Sequence, residues 1–186
     1  MEPRTRLHLL NLAALLLAAV PARARVLLSQ KEALALAFPA GTAVERRTAF
    51  LSDAQARAAE EAAGAKIESK VWTYYIGRST AGVERTAYFE SHLVRTMNET
   101  FMVVVGPDGT VEFVEILSFA EPDEYRASKR WLGQFSGRKL GTELMLRRGL
   151  RNITGASLTC EAVTRGVRRV LAVHRALAGT RKAAHH

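Results

Sequence analysis

The residues of this chain with the clearest capacity for chemistry lie near its C-terminus, in the stretch 152–163, which reads NITGASLTCEAV. Two hydroxyl residues, Thr154 and Ser157, enclose two of the smallest residues where a helical pattern begins. The first amides of a helix have no internal partner and carry the positive end of the helix dipole, so they can hold an anion such as phosphate. A plainer interpretation, which spacing alone favours, is that Thr154 caps the helix and the small residues fit a tight helix entry.

Other catalytic chemistries have less support in the sequence. The Gly-x-Ser-x-Gly motif of many serine hydrolases is absent, and the Ser-x-x-Lys match at Ser136 and Lys139 lacks its companion motifs. His92 and His174 have no neighbouring carboxylate cluster, so we expect structural roles for both and no metal catalysis. Cys160 is the only cysteine, which excludes an intrachain disulfide and a thiolate metal cluster.

The N-terminus has the pattern of a secretory signal peptide. Arg4 and Arg6 precede a largely apolar run of 14 residues at 7–20, and a small-x-small cleavage site follows at 22–24. We expect cleavage after Ala24 and export to the periplasm or another extracytoplasmic compartment. The alternative is an uncleaved signal that anchors the protein in the membrane, although the apolar run is short for a membrane span.

The chain is basic, with a formal net charge of +9. Removing residues 1–24 takes away three arginines and one glutamate, which leaves +7. Such a charge favours acidic partners or anionic membrane surfaces. Nucleic acid is not a predicted partner, because an exported protein seldom meets it and the sequence has neither zinc-ligand spacing nor an aromatic-basic stacking motif.

The elements that must position the motif follow a mixed order that predicts an α+β fold. Caps and helical spacing predict helices at 29–38, 52–63 and 124–135, the last with a broken end. Runs rich in β-branched and aromatic residues predict strands at 70–76, 84–94, 100–105 and 110–119. We expect these strands to form an antiparallel sheet of about four strands packed against the helices. Shorter extended pieces are predicted at 48–51 and 144–146.

Apolar residues from Leu158 onward recur at helical spacing and predict a long C-terminal helix with one face toward the core. The stripe comprises Leu158, Ala162, Val163, Val167, Val170, Leu171, His174 and Leu177. Four arginines are expected on the opposite face: Arg165, Arg168, Arg169 and Arg175. The chain length suits one main domain, which we place at 67–180, after the signal peptide at 1–24 and an N-terminal helical segment at 25–66.

The run Thr154-Gly155-Ala156-Ser157-Leu158-Thr159 resembles the Ser/Thr-Gly-Ala-Thr motif of a known family. That family is the FMN-binding domain of the C subunit of sodium-pumping NADH:quinone oxidoreductase and of the G subunit of the Rnf complex. Segment 117–137 is similar to a segment of simpler exported members, with an acidic residue, a proline and a Trp-x-x-x-Phe-x-Gly end. The resemblance covers about Lys70 to Leu177 and marks 67–180 as an FMN-binding domain.

The resemblance implies FMN attached through a phosphodiester bond to the last hydroxyl of the motif, which is Ser157 here. A magnesium-dependent flavin transferase makes this bond in the family, with FAD as donor. Gly155 and Ala156 would let the phosphate approach the backbone at the helix N-terminus. Thr154 would donate to the phosphate or cap the helix, and Leu158 and Thr159 complete the motif.

The chain departs from the family pattern at two points. An acidic residue usually precedes the motif, where this chain has Arg151 and Asn152, and the attachment residue is more often threonine than serine. Glu121 occupies the acidic position that the family places beside the flavin, with a simple loop role as the alternative. The aromatic candidates for an apolar wall against the isoalloxazine ring are Trp72, Tyr74, Tyr75 and Trp131.

Together these features predict an exported flavoprotein that transfers electrons on FMN and is an electron carrier rather than a stand-alone enzyme. Its expected partners are the flavin transferase, a membrane reductase or quinone oxidoreductase, and a haem protein or other extracytoplasmic acceptor. The alternative is a cofactor-free binding or assembly module of a membrane redox complex, which would dock through the arginine-rich face of the last helix.

Overall fold

The computed structural model describes residues 25–183, so the predicted signal peptide at 1–24 lies outside the described residues. An antiparallel sheet of six strands runs in the order β1-β6-β5-β4-β3-β2. The strands are β1 (Arg25–Val26), β2 (Ala43–Phe50), β3 (Val71–Arg78), β4 (Glu84–Leu93), β5 (Asn98–Val105) and β6 (Val111–Phe119). The helices are α1 (Gln30–Ala37), α2 (Asp53–Ala63), α3 (Lys129–Leu132) and α4 (Ser157–Ala183).

The predicted α+β class is confirmed, but the sheet has six strands rather than about four. The four predicted strands are β3 to β6, and β1 and β2 extend the sheet at its two edges. β2 reads AVERRTAF and is mostly solvent-exposed, so its sequence lacks the apolar alternation of a half-buried strand. Backbone pairing with β3 over its whole length forms it. The N-terminal segment 25–66 therefore contributes two strands to the same sheet as well as α1 and α2.

The sheet separates two apolar layers because alternate side chains of each strand face opposite sides. On β5, Phe101 and Val103 face the larger core, which α2 and α4 cover, whereas Met102 and Val104 face the smaller core beneath α1. All four side chains are fully buried. The near-continuous apolar run TFMVVV in the sequence is thus a central strand that is buried on both faces.

The helix caps predicted from the sequence are present. Ser29 and Ser52 each form a capping box at the start of α1 and α2, with Glu32 and Gln55 as the reciprocal partners. α2 ends at Gly64 in the left-handed conformation. These local signals act within one turn of the chain, which is why the sequence shows them directly.

Two predicted elements differ from the structure. The helix expected at 124–135 is broken into a 3-10 turn at Asp123–Tyr125, the short α3 and a second 3-10 turn at Gly133–Phe135. The strand expected at 144–146 is wrong: Leu144 ends a 3-10 turn, and residue 146 makes only an isolated bridge to residue 150. Both segments fill the edge of the core, so burial of Trp131, Phe135 and Leu144 decides their path rather than a regular hydrogen-bond pattern.

α4 runs across the sheet and buries Val163, Val167 and Val170 completely, as its apolar stripe predicts. Leu158 is 50% exposed and does not belong to the buried stripe. The expected outward direction of all four arginines is wrong for two of them: Arg168 donates to backbone carbonyls at the end of α2, and Arg169 pairs with Glu90. Over the part of the chain that the structure describes, no helix combines the length and hydropathy that a membrane span needs.

Candidate functional site

Ser157 is the first residue of α4, at the end of a tight turn through Gly155. Gly155 has φ of +88°, which favours glycine, and a Cβ built there would meet no atom within 4 Å. The carbonyl of Ala156 accepts the first helical bond, from Cys160 N at 3.0 Å, so Ala156 occupies the N-cap position. An alanine side chain offers no oxygen to the first amides of α4. The interpretation of Thr154 as the N-cap is therefore wrong, because Thr154 lies two residues outside the cap.

The hydroxyl of Ser157 is oriented by a neighbouring side chain. Nδ2 of Asn152 donates to Oγ of Ser157 at 2.9 Å, and the Ser157 side chain is half-buried. Thr154 and Gly155 are exposed beside it, and Leu158 is exposed on the next position of the helix. The structure thus combines a positioned hydroxyl, an open glycine turn and a helix N-terminus whose amides lack a side-chain cap.

Thr159 has a different role from the other two hydroxyl residues of the motif. Its side chain is 1% exposed, and its Oγ1 donates to the carbonyl of Tyr125 at 2.6 Å. This bond ties the first turn of α4 to the 3-10 turn that follows β6. Thr159 is consequently a buried structural contact in the first turn of α4.

Trp131 lies behind the motif as part of the core. Its ring is 4% exposed and packs edge-on against Phe135 at 5.2 Å, and its Nε1 donates to the carbonyl of Arg151. Gln134 accepts from Arg151 N at 2.8 Å. Trp131 and Gln134 therefore fix the backbone immediately before Asn152, so Trp131 supports the motif from the core. Nothing in the sequence indicates Gln134, because its contact is with a residue 17 positions away.

Glu121 holds the turn between β4 and β5. Its Oε1 accepts from Thr96 N at 2.8 Å, from Thr96 Oγ1 at 3.1 Å and from Met97 N at 3.1 Å. The backbone N–H of Thr96 contributes most to lowering the pKa of Glu121, followed by the Thr96 hydroxyl, Met97 N–H and the charge of Arg95. The carboxylate is thus committed to a loop contact, in agreement with the alternative role considered for it.

This turn brings a cation to the end of the sheet at which α4 begins. Cζ of Arg95 lies 4.8 Å from the centre of the Tyr125 ring, the residue whose carbonyl binds Thr159. Arg95 is exposed, and cation–π contact leaves its outer face available to an anion. The sequence did not indicate Arg95 as a site residue, because only tertiary packing places the β4–β5 turn beside Tyr125.

The other aromatic candidates lie elsewhere. Trp72 and Tyr74 pack against Tyr88 in the larger core, and Tyr88 contacts His174 Nδ1 at 3.0 Å. His174 lies 17 residues beyond Ser157, or about 25 Å along a helix with a rise of ~1.5 Å per residue. Tyr75 packs with Phe89 on the opposite face of the sheet. The structure therefore brings Trp131 to the motif but not the three aromatic residues of β3.

Two surface clefts on the described residues lie away from the motif. One is lined by Phe38 and Gly77, and the other by Trp72 and Tyr75. The exposed Gly155 and Leu158 form the surface on either side of Ser157. Among residues 25–183, no three His, Cys, Asp or Glu side chains are grouped as a metal site would need.

A comparison with known families matches residues 98–172 to the FMN-binding domain. Residues 98–172 are therefore similar to the FMN-binding domain family. The match runs from β5 into α4 and includes Glu121, Trp131 and the whole motif 154–159, whereas Trp72 lies before it. The resemblance deduced from the motif is thereby confirmed, and FMN is supported as the cofactor of this FMN-binding domain. No curated protein and no solved structure matches the chain.

Proposed function

We propose that FMN is attached covalently to Oγ of Ser157 through a phosphodiester bond. The observation that carries the proposal is the geometry of this hydroxyl: it lies at the first position of α4, receives a bond from Asn152 and adjoins the open turn at Gly155. A phosphate there would meet the uncapped amides and the positive end of the helix dipole. The residues present therefore fit a phosphate-linked group.

The attachment step requires a base that this chain does not provide next to Ser157. Asn152 donates to Oγ, so the hydroxyl hydrogen is left for an external base to remove. In the proposed step the Oγ–P bond to the FMN phosphate forms, the pyrophosphate bond of FAD breaks, and AMP leaves. A magnesium-dependent flavin transferase would supply the base and FAD, since an unactivated serine is a weak nucleophile.

Once FMN is attached, the chain's own residues would bind and orient it, and the flavin would supply the redox chemistry. The first amides of α4 stabilise the phosphodiester charge, and the exposed Arg95 adds a cation on the side of Tyr125. Leu158, which is 50% exposed on the first turn, offers apolar surface to the ring. Glu121 and Trp131 act indirectly, by holding the β4–β5 turn and the backbone of Arg151.

The proposed role is extracytoplasmic electron transfer. The predicted signal peptide directs the chain out of the cytoplasm, either cleaved or kept as a membrane anchor. A membrane reductase or quinone oxidoreductase would donate electrons, and a haem protein or other extracytoplasmic acceptor would receive them. The basic surface would steer acidic partners to the flavin.

A cofactor-free docking module has less support. Its proposed contact surface was the arginine face of the last helix, yet Arg168 and Arg169 are used inside the protein. Only Arg165 and Arg175 of that set are exposed. Two exposed arginines are usual on the solvent-facing side of a helix.

Coexpression of the full chain with a flavin transferase tests the attachment. Intact-mass spectrometry should show one FMN adduct, and peptide mapping should place it on Ser157. Ser157→Ala should lose the adduct, Ser157→Thr should keep it, and Thr154→Ala serves as a matched control that retains the attachment hydroxyl. An adduct that persists in Ser157→Ala, or an unmodified wild-type chain, would contradict the proposal.

A further inference from the structure

A buried pair of titratable groups lies in the same end of the sheet as the start of α4. Nε2 of His92 is 3.0 Å from Oε2 of Glu99, and the two residues are direct cross-strand neighbours on β4 and β5. The side chains are only 9% and 0% exposed. Nδ1 of His92 and Oε1 of Glu99 are also buried, and neither has a hydrogen-bond partner among residues 25–183. The motif and its supporting contacts use neither residue.

Most of the side chains around the pair, on the same face of the sheet, are apolar. The Phe101 ring lies 5.2 Å from the His92 ring, and Phe119 is the neighbour of Glu99 on β6. Gly166 of α4 lets the helix approach closely, because a Cβ there would lie 2.6 Å from Cζ of Phe101. Close packing of this kind leaves the pair little access to solvent.

Few charged groups face the pair from the elements around it. On β4, Glu90 interacts electrostatically with His92, but its carboxylate is already bound by Arg169 of α4. In the first turn of α4, burial raises the pKa of Cys160, and the charges of Glu99 and Glu161 add to this increase. Burial also raises the pKa of Glu90, and the charge of Glu68, in the segment before β3, adds to that increase. These groups leave His92 as the direct hydrogen-bond partner of the buried carboxyl.

If Glu99 were ionised beside a neutral His92 imidazole, the buried carboxylate would have no solvent around it, and its charge would be costly in free energy. Burial raises the pKa of Glu99, while the hydrogen bond and the charge of His92 act in the opposite direction. A single proton satisfies the pair in either of two ways, as a carboxylic acid beside a neutral imidazole or as a carboxylate beside an imidazolium. The arrangement with no proton leaves an uncompensated negative charge in the core.

We propose that Glu99 and His92 together form a buried proton-binding site that shares one proton and binds it more tightly when negative charge is added at Ser157. The proton comes from solvent and returns to it, and no bond between heavy atoms changes. The link to FMN rests on the proposed function, because the phosphodiester would supply the added charge. The proton site itself does not depend on flavin.

Cys160 provides the structural connection between the two sites. It lies three residues beyond Ser157, less than one helical turn. Burial raises the pKa of its thiol, and the charge of Glu99 adds to this increase. A unit charge about 10 Å away, acting through an effective dielectric constant near 20, changes proton affinity roughly tenfold. Charge at the start of α4 is therefore expected to act on the pair across the first turn of the helix.

The test uses two variants of the full chain without flavin: Ser157→Glu, which adds a negative charge, and Ser157→Gln, which has a similar size and no charge. The pH titration of the His92 ring and the Glu99 carboxyl is followed by NMR in both variants and in the wild type, with His92→Gln to assign the ring signal. In each protein we expect the two signals to move together in one shared step. The midpoint should be higher in Ser157→Glu, corresponding to up to about tenfold tighter proton binding.

Two results would overturn the proposal. Glu99 could titrate alone near pH ~4 in the wild type, as an ordinary glutamate does, or the midpoint could be the same in the two Ser157 variants. A Glu99→Gln chain, which keeps the side-chain shape but cannot ionise, should lose the shared step. Because none of these proteins carries flavin, failure of FMN attachment in the wild type would contradict the proposed function without affecting this measurement.

Discussion

The side-chain amide of Asn152 donates a hydrogen bond to Oγ of Ser157 at 2.9 Å, so a neutral donor orients the proposed attachment hydroxyl. The related domains usually have an acid shortly before the motif, which would accept from such a hydroxyl instead. Asn152 donates to this hydroxyl, whereas an acid at position 152 could only accept from it when ionised. Trp131 and Gln134 hold the backbone just before Asn152, which keeps this contact in place.

We expect Asn152→Ala to slow FMN attachment about fivefold, because a typical hydrogen bond contributes ~1 kcal/mol. Asn152 is exposed, so stability should change little. The rate is measured as the modified fraction over time, by intact-mass spectrometry with purified transferase and FAD. Asn152→Asp, which can accept the hydroxyl hydrogen, should restore or exceed the wild-type rate. Equal rates in all three chains would show that this contact does not orient the nucleophile.

Gly155→Ala should lower the free energy of unfolding by about 1–2 kcal/mol, because a side chain is disfavoured at positive φ. The space around Gly155 is open, so the cost arises from the backbone alone. Urea unfolding measures the loss. Gly133→Ala is the matched control: Gly133 has φ of −58° and equally open space, and the change there should be neutral or slightly stabilising. Equal effects at the two positions would argue against a strained turn.

Arg168 joins three parts of the structure through backbone carbonyls. Its guanidinium donates to Ala63 O at 2.7 Å and Ala62 O at 3.2 Å at the end of α2, and to Gly141 O at 2.7 Å and Leu144 O at 3.3 Å. The planar group reaches all four acceptors at once, which an ammonium group cannot do.

Arg168→Met should therefore cost about 2–4 kcal/mol of unfolding free energy, since bonds to charged donors contribute ~1.5–3 kcal/mol and several carbonyls lose a partner. Arg168→Lys should recover only part of this. Thermal and urea unfolding provide the comparison, with Arg165→Met as the control because Arg165 is exposed on the same helix. A loss no greater than that of the control would refute the structural role of Arg168.

Glu121 should make stability depend on pH. Its pKa is lowered in the folded protein, so its contribution is present above the unfolded-state pKa and is lost as pH falls through the folded-state pKa. Glu121→Gln should consequently be less stable than wild type at pH ~7, and the difference should shrink well below pH ~4. Urea unfolding across this range measures it, with Glu124→Gln as an exposed control. A difference that is constant with pH would mean that the carboxylate charge is unimportant.

Local signals explain why much of the fold was predictable. The two capping boxes, the strands β3 to β6 and the long α4 each rest on residues within a few positions of one another. The sequence predicted only the end of β2, because backbone pairing with β3 rather than apolar alternation forms this strand. The sequence likewise did not predict the backbone path of residues 123–135 and 142–150, because this path depends on the packing of core residues that lie far apart in the chain.

For the candidate site, the amino-acid sequence alone determined the motif 154–159 and its position at the start of a helix, because that information lies in consecutive residues. Tertiary structure separated the roles of the three hydroxyl residues: Ser157 faces Asn152, Thr159 is buried against Tyr125, and Thr154 is exposed. It also placed Arg95 near the first turn and Trp72 far from it. Contacts of this kind depend on distances between elements separated by tens of residues, which sequence spacing does not determine.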